Sequence, residues 1–197
     1  MSTSPVRARR SSPPAAVFLD RDGTLVLDVP YNGDPAQVQP VPGAAGALAR
    51  LRDAGVPLAL VSNQSGVARG LLTMAQMEAV NERLEELVGP LGPWMMCPHA
   101  PEDGCGCRKP APGLVLAAAA ALGVDPADCA VIGDIGADMG AAQAAGARGI
   151  LVPTPATRPE EVLDASEVAD TLDEAVDLLV GPSDQVDLLV GALVGDR

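Results

Sequence analysis

Five short apolar runs, each of strand length, alternate with segments whose apolar residues recur at helical spacing, and this alternation constrains the fold more than any other feature of the chain. The runs are residues 16–19, 57–61, 94–97, 130–132 and 149–152. The helical segments are residues 42–54, 73–88, 114–122, 137–145 and 171–180, and Thr73 with Gln76 forms a capping box at the start of the second. Strand and helix in strict alternation predict right-handed crossovers and an α/β fold with a Rossmann-like, doubly wound parallel sheet. In such a sheet the ligand sits beyond the carboxyl ends of the strands, where strand order reverses. The residues that follow the runs are Asp20 and Asp22, Ser62 and Asn63, Cys97 and His99, and Asp134, so chemically capable side chains collect at one edge.

Composition fits that fold. Hydrophobic residues make up 48% of the 197 but aromatics only 2%, so the core must be built from Ala, Val and Leu, as in a parallel sheet covered by Ala-rich helices. The length allows one domain with a real core, expected over residues 16–182. Residues 1–15 carry Arg7, Arg9 and Arg10 but no apolar segment or cleavage site, and read as a disordered arm rather than a signal peptide. Residues 183–197 form a tail in which VDLLVG, first seen at 176–181, recurs at 186–191. Two copies are too few for a repeat architecture, and an amphipathic end that packs or self-associates weakly is the simpler reading of an otherwise monomeric chain.

A formal charge of -13 argues against a nucleic-acid partner, because phosphate backbones are bound by surplus Lys and Arg. A small phosphorylated metabolite needs only a few local cations. No apolar run approaches the roughly 18 to 20 residues of a membrane span, so a cytoplasmic protein without a membrane partner is expected.

The run V-F-L-D-R-D-G-T-L-V places two carboxylates two residues apart, directly after a buried strand and before a glycine turn. Alone it could be an Asx-turn or a calcium-type loop, although the further oxygen ligands of a 12-residue calcium loop are missing. Phosphoryl transfer makes fuller use of the chain. It needs a nucleophile, for which Asp20 serves, and a proton donor for the leaving oxygen that later accepts a proton from water, for which Asp22 serves. A magnesium ion nearby would keep Asp20 ionised and neutralise the phosphate.

Cys97, His99, Cys105 and Cys107 form C-x-H-x5-C-x-C around the chain's only histidine. Four soft ligands within eleven residues suit a tetrahedral structural zinc ion. Disulfides or a redox pair are the alternatives, but a Cys-x-Cys pair is too close for an unstrained bridge and a histidine has no purpose in one. The loop runs straight into Arg108 and Lys109, so metal binding would fix both cations at the site.

D-R-D-G-T after a strand resembles the first motif of the haloacid dehalogenase superfamily. The remaining motifs follow in order: Ser62 in L-V-S-N-Q-S-G, Lys109 in C-R-K-P and Asp134 in V-I-G-D-I-G-A-D-M. The resemblance covers roughly residues 16–153. It implies that Ser62 holds phosphate, Lys109 stabilises a phosphoaspartate and Asp134 joins Asp20 and Asp22 in holding Mg²⁺, with a minimal cap over the site. The zinc loop is similar to that of the branch holding the heptose-bisphosphate and histidinol-phosphate phosphatases. Within that branch Asp28, Tyr31, Ser62, Asn63, Gln64, Ser65, Arg69, Arg108 and Lys109 fall at substrate-contacting positions. One departure is Ile135, where the heptose enzymes commonly carry Lys, while Asp138 is retained. The resemblance implies removal of the 7-phosphate of a heptose 1,7-bisphosphate, with histidinol phosphate or another small phosphate ester as the alternative substrate. Outside the class stands a non-catalytic, zinc-stapled phosphate-binding module, which would have no need of Asp22 or Lys109. A phosphatase of nucleic-acid ends would need a cationic groove and stacking rings that this composition lacks.

Overall fold

The computed structural model describes residues 12–182; the second VDLLVG copy and most of the N-terminal arm lie outside the described residues. Five strands, β1 (Val17–Leu19), β2 (Leu58–Asn63), β3 (Trp94–Cys97), β4 (Ala130–Gly133) and β5 (Arg148–Leu151), form one parallel sheet in the order β3-β2-β1-β4-β5. The chain winds outward from β1 to β3 on one side and from β4 to β5 on the other. Strand order therefore reverses beside β1, whose Val17 is in register with both Leu58 and Ala130.

Six helices cover the sheet: α1 (Ala44–Asp53), α2 (Met74–Val88), α3 (Gly113–Leu122), α4 (Gly136–Ala145), α5 (Pro159–Asp164) and α6 (Leu172–Val180). The two-residue period of the strands divides the apolar side chains between two cores. Val17 and Leu19 of β1, with Leu58, Leu60 and Ile132, pack against α1, α2 and α6. Phe18, Ala59, Val61 and Val131 point the other way, onto the Ala-rich helices α3 and α4. Small side chains on those helices let them lie close to the sheet, as the composition predicts. The capping box at Thr73 forms in both directions, Gln76 N donating to Thr73 Oγ1 at 3.2 Å and Thr73 N to Gln76 Oε1 at 2.9 Å.

The doubly wound sheet forms as predicted, with small shifts at the ends of its elements. β2 and β4 run on to Asn63 and Gly133, because their last residues still pair with β3 and β5 although their side chains serve the edge. α5 escapes the periodicity reading. It has six residues and none is buried, with Leu163 84% exposed, so it carries no amphipathic stripe to read. The first VDLLVG copy forms most of α6 and its cap. Arg50 of α1 donates to Asp173 at 2.7 Å, to Asp177 and to the Gly181 carbonyl at 2.6 Å, tying the end of α6 to α1. Just before residue 16, Ala15 N donates to Asp128 O at 2.9 Å. Between β1 and β2 lie only isolated bridges from Val26 to Asp22 and to Pro40, a 3-10 turn at Pro35–Gln37 and α1, so no cap domain is inserted there. Among the described residues no helix is long and apolar enough to cross a membrane.

Candidate active site

β1 ends in the interior of the sheet, and the next residue, Asp20, is buried. Lys109 arrives from the loop before α3. Its Nζ lies 2.6 Å from Asp20 Oδ1, 2.6 Å from Asp138 Oδ1 and 2.7 Å from the Val61 carbonyl, and the side chain is 3% exposed. Burial pulls the ammonium towards neutrality, but Asp138 and Asp20 more than offset it and hold Lys109 above its ordinary value.

Asp134 follows β4 and Asp138 lies in the first turn of α4. Together with Asp20 they bring three carboxylate oxygens within 4.8 Å of one another. One ammonium does not balance three carboxylates. Burial, chiefly, and the charges of Asp138 and Asp22 push Asp20 up to about 8 against the pull of Lys109. Burial and Asp138 raise Asp134 to about 7, opposed by its own main-chain hydrogen bonding and by Thr154. A buried, oxygen-only and under-compensated cluster of this kind fits a hard divalent cation such as Mg²⁺. The cradle is closed by Gly23, whose φ of 84° favours glycine and where a Cβ would stand 2.3 Å from Asp134 Oδ2. Thr157 Oγ1 donates to the Asp134 carbonyl at 2.5 Å and Thr154 Oγ1 to Asp134 Oδ2 at 3.3 Å, fixing that ligand from the loop after β5.

Asp22 stands apart from this cluster. Arg21 Nε and Nη2 each donate to its carboxylate at 2.9 Å, and Gln64 Nε2 donates to Oδ2 at 2.7 Å. The three-carboxylate group contains Asp138 in the position that sequence reasoning gave to Asp22. Gln64 also donates to Ser62 Oγ at 3.0 Å, so the ends of β1 and β2 share one network. Asn63 turns to main chain, giving Nδ2 to the Lys109 carbonyl and receiving the Lys109 N–H at Oδ1, both at 3.0 Å.

At the rim, Arg69 Nη1 donates to Tyr31 Oη at 2.6 Å, with the guanidinium carbon 6.0 Å from the ring centroid. Tyr31 has a φ of 53°, the one non-glycine residue with positive φ among those described. Asp28 is exposed, and partial burial together with the charge of Asp22 raises its pKa against the pull of Arg21. Ser65 accepts the Arg69 N–H at its carbonyl at 3.1 Å, and Arg108 Nη1 lies 3.5 Å from the His99 carbonyl.

The Cys/His loop closes as its spacing predicts. Cys97 Sγ lies 3.6 Å from His99 Nδ1, 3.6 Å from Cys105 and 3.3 Å from Cys107; Cys107 lies 3.3 Å from His99 Nδ1 and 3.4 Å from Cys105. A tetrahedron around zinc with bonds of about 2.3 Å to sulfur has edges of about 3.7 Å, so the four atoms are spaced for that ion. All four cysteines are free. Burial and the neighbouring thiols hold Cys97 at about 12. At Cys105 partial burial is outweighed by hydrogen bonding from the Arg108 main chain and the other thiols, bringing it to about 6. The loop is pinned to α3 by the Gly113 N–H donating to Gly106 O at 3.1 Å, an approach so close that a Cβ at Gly113 would lie 2.4 Å from that oxygen. The fourth cysteine, Cys129, plays no part in it; it is buried in the core beside β4 and donates to Asp125 O at 3.2 Å.

Sequence reasoning passed over Arg21, Asn81, Thr154 and Thr157. Arg21 lay in view as a charged residue locked between two aspartates after a buried strand. Asn81 and the threonines offered no local signal, because their partners are distant in sequence. A cavity of 670 Å³ lies away from the carboxylates, between α4, β5 and α5, with Pro110 in its wall.

A doubly wound sheet carrying this edge defines a haloacid dehalogenase-like hydrolase, and the chain belongs to that family as a phosphoric monoester hydrolase; a family model described as HAD-hydrolase-like matches residues 106–175. Among its relatives is the D-glycero-beta-D-manno-heptose-1,7-bisphosphate 7-phosphatase of Pseudomonas aeruginosa, 41% identical over 143 residues, with 70% of this chain and 80% of the relative covered. The enzyme of the same name from Mesorhizobium japonicum is 38% identical, with 80% of each chain covered. The crystal structure of the D,D-heptose 1,7-bisphosphate phosphatase of B. bronchiseptica, complexed with magnesium and phosphate, superposes with a TM-score of 0.75 at 32% identity, covering 84% of this chain and 98% of that one.

Proposed function

We propose that the chain removes the 7-phosphate of D-glycero-D-manno-heptose 1,7-bisphosphate in the cytoplasm, acting as a monomer through a phosphoaspartate on Asp20. The observation that carries this reading is the buried contact of Lys109 Nζ with Asp20 Oδ1 at 2.6 Å, at the carboxyl end of the central strand. A lysine so placed points the nucleophile, favours its ionised form against the pull of burial, and faces the charge that develops on a transferring phosphoryl group. Asp20, Asp134 and Asp138 would hold Mg²⁺, which supplies charge neutralisation of the phosphate and of the carboxylates around it.

Asp20 Oδ attacks phosphorus and the bond from phosphorus to the sugar oxygen breaks, with Asp22 delivering a proton to that oxygen. Water then attacks the phosphoaspartate, Asp22 takes up its proton, and the bond from Asp20 to phosphorus breaks to release inorganic phosphate. Ser62 and Lys109 hold the phosphoryl oxygens. Tyr31, Ser65, Arg69 and Arg108 form the rim that meets the rest of the substrate, with Asp28 beside them. The thiols of the zinc loop stay reduced in a cytoplasmic setting, which suits metal binding there.

Phosphate release would be measured with Mg²⁺ from both anomers of heptose 1,7-bisphosphate, from histidinol phosphate and from common sugar phosphates. The heptose bisphosphate is expected to give the highest kcat/KM. A preference for histidinol phosphate would move the assignment to that substrate, and Asp20→Asn protein that still turned over would remove Asp20 as nucleophile.

A further inference from the structure

Arg21 is the largest fully buried side chain of the described chain, 2% exposed, and it is not part of the carboxylate cluster. A guanidinium carries five N–H donors in a rigid fork and cannot shed its charge, so its burial requires that each edge be occupied. Nε and Nη2 form one edge, and both donate to Asp22 at 2.9 Å. Nη1 donates to Oδ1 of Asn81 at 3.0 Å. Asn81 is completely buried on the inner face of α2, sixty residues along the chain, and its Nδ2 in turn faces Met96 Sδ of β3 at 3.8 Å.

We propose that Asn81 is a positioning residue for the acid/base Asp22, acting through Arg21. Asn81 supplies an acceptor to Nη1, which sets the rotation of the guanidinium plane, and the plane sets where the Asp22 carboxylate stands relative to Asp20. Gln64 holds the same carboxylate from the other side, at 2.7 Å, so Arg21 and Gln64 form a two-sided grip and Asn81 anchors one side of it to α2. Without the acceptor, Nη1 is left buried with a donor to satisfy, and the fork must turn away from Asp22 to find a partner. An amide suits the position because it accepts without charge; a carboxylate there would compete with Asp22 for the guanidinium.

The inference rests on the reading of Asp22 as the group that protonates the leaving oxygen, and the test separates the two. A sugar alkoxide needs that proton, whereas p-nitrophenolate leaves without it. The leaving-group release step would be followed before steady state, with Mg²⁺ and intact zinc, for heptose 1,7-bisphosphate and for p-nitrophenyl phosphate. Asn81→Leu keeps the branching of the side chain and removes the acceptor; Asn81→Ser keeps an acceptor oxygen. For Asn81→Leu, release from the sugar phosphate is expected to slow by about tenfold, the loss of one hydrogen bond to a charged group, with release of p-nitrophenolate changed by less than about threefold and KM unmoved. Asn81→Ser is expected to recover most of the sugar-phosphate rate. Equal slowing of both substrates, or slowing of neither, would overturn the role of Asn81. Should Asn81→Leu fail to fold, a serine variant whose two rates fall in parallel overturns it equally. Asp22→Asn is the control: if it does not discriminate between the two leaving groups, the acid reading of Asp22 fails, whereas discrimination by Asp22→Asn but not by Asn81→Leu sinks the present inference alone.

Discussion

The carboxamide of Asn63 pairs with the main chain of Lys109 in both directions at 3.0 Å, as one strand pairs with another, although forty-six residues separate them. This pairing reaches the end of β2 across to the exit of the zinc loop and holds the backbone from which the Lys109 side chain descends to Asp20. Asn63→Ala is expected to lower stability by about 1–2 kcal/mol, two hydrogen bonds in a half-buried place. It should lower kcat more than it raises KM, because Lys109 is displaced from developing charge rather than from ground-state substrate. Urea unfolding and steady-state kinetics check both.

Proton competition should govern magnesium affinity. Burial raises Asp20 to about 8 and Asp134 to about 7, so between the unfolded value near 3.8 and these values the metal-free folded state binds more protons than the unfolded chain. Its stability therefore falls as pH rises across that window. Mg²⁺ requires the ionised carboxylates, so its affinity moves the opposite way. Melting temperature without metal is expected to drop from pH 5 to pH 8, and the gain on adding Mg²⁺ to grow over the same range. Thermal melts in both conditions read it directly, and a magnesium gain that shrank with pH would contradict it.

Thr157 meets the site through its hydroxyl, which donates to the Asp134 carbonyl at 2.5 Å and accepts the Thr154 N–H at 2.8 Å. Thr157→Val keeps the shape and removes the donor. Outer partners of metal ligands are worth roughly ten- to a hundredfold in affinity, and the lower end is expected here because Thr154 still reaches the carboxylate. The Mg²⁺ dependence of kcat measures it.

Metal analysis of the purified protein should find about one zinc per chain, and chelation should lower the melting temperature because site and fold form together. Cys107→Ser should do the same. It should also cost activity, since Arg108 and Lys109 directly follow that ligand. Zinc-free protein of undiminished stability would contradict the structural role of the loop.

The parts of this site that could be read in the sequence share a cause. Asp20, Ser62 and Asp134 follow apolar runs, and a parallel sheet brings the ends of its strands to one edge. Cys97, His99, Cys105 and Cys107 are close enough in sequence to be a ligand set by spacing alone. Long-range pairings left no trace of that kind. The direction of the Asp22 carboxylate is set by Arg21 and Gln64, one adjacent and one forty-two residues away, and the second of these pairings has no local signature. The resemblance put Asn63 at a substrate-contacting position, a role that says nothing of its pairing with the Lys109 main chain forty-six residues on. Helix α5 was invisible because nothing in it is buried.

The place of β1 in the middle of the sheet has a further consequence, for biosynthesis. Asp20 emerges from the ribosome early, yet Val17, Phe18 and Leu19 must pair with residues of β4 as well as β2 before it acquires its surroundings. Asp134, Asp138 and Lys109 all belong to the second half of the chain. A nascent or truncated chain ending before β4 would thus carry the first motif without the groups that make it reactive, and the contacts that create the site are among the most non-local in the molecule, where folding is slowest. Phosphatase activity is therefore a property the protein gains late in its synthesis and all at once.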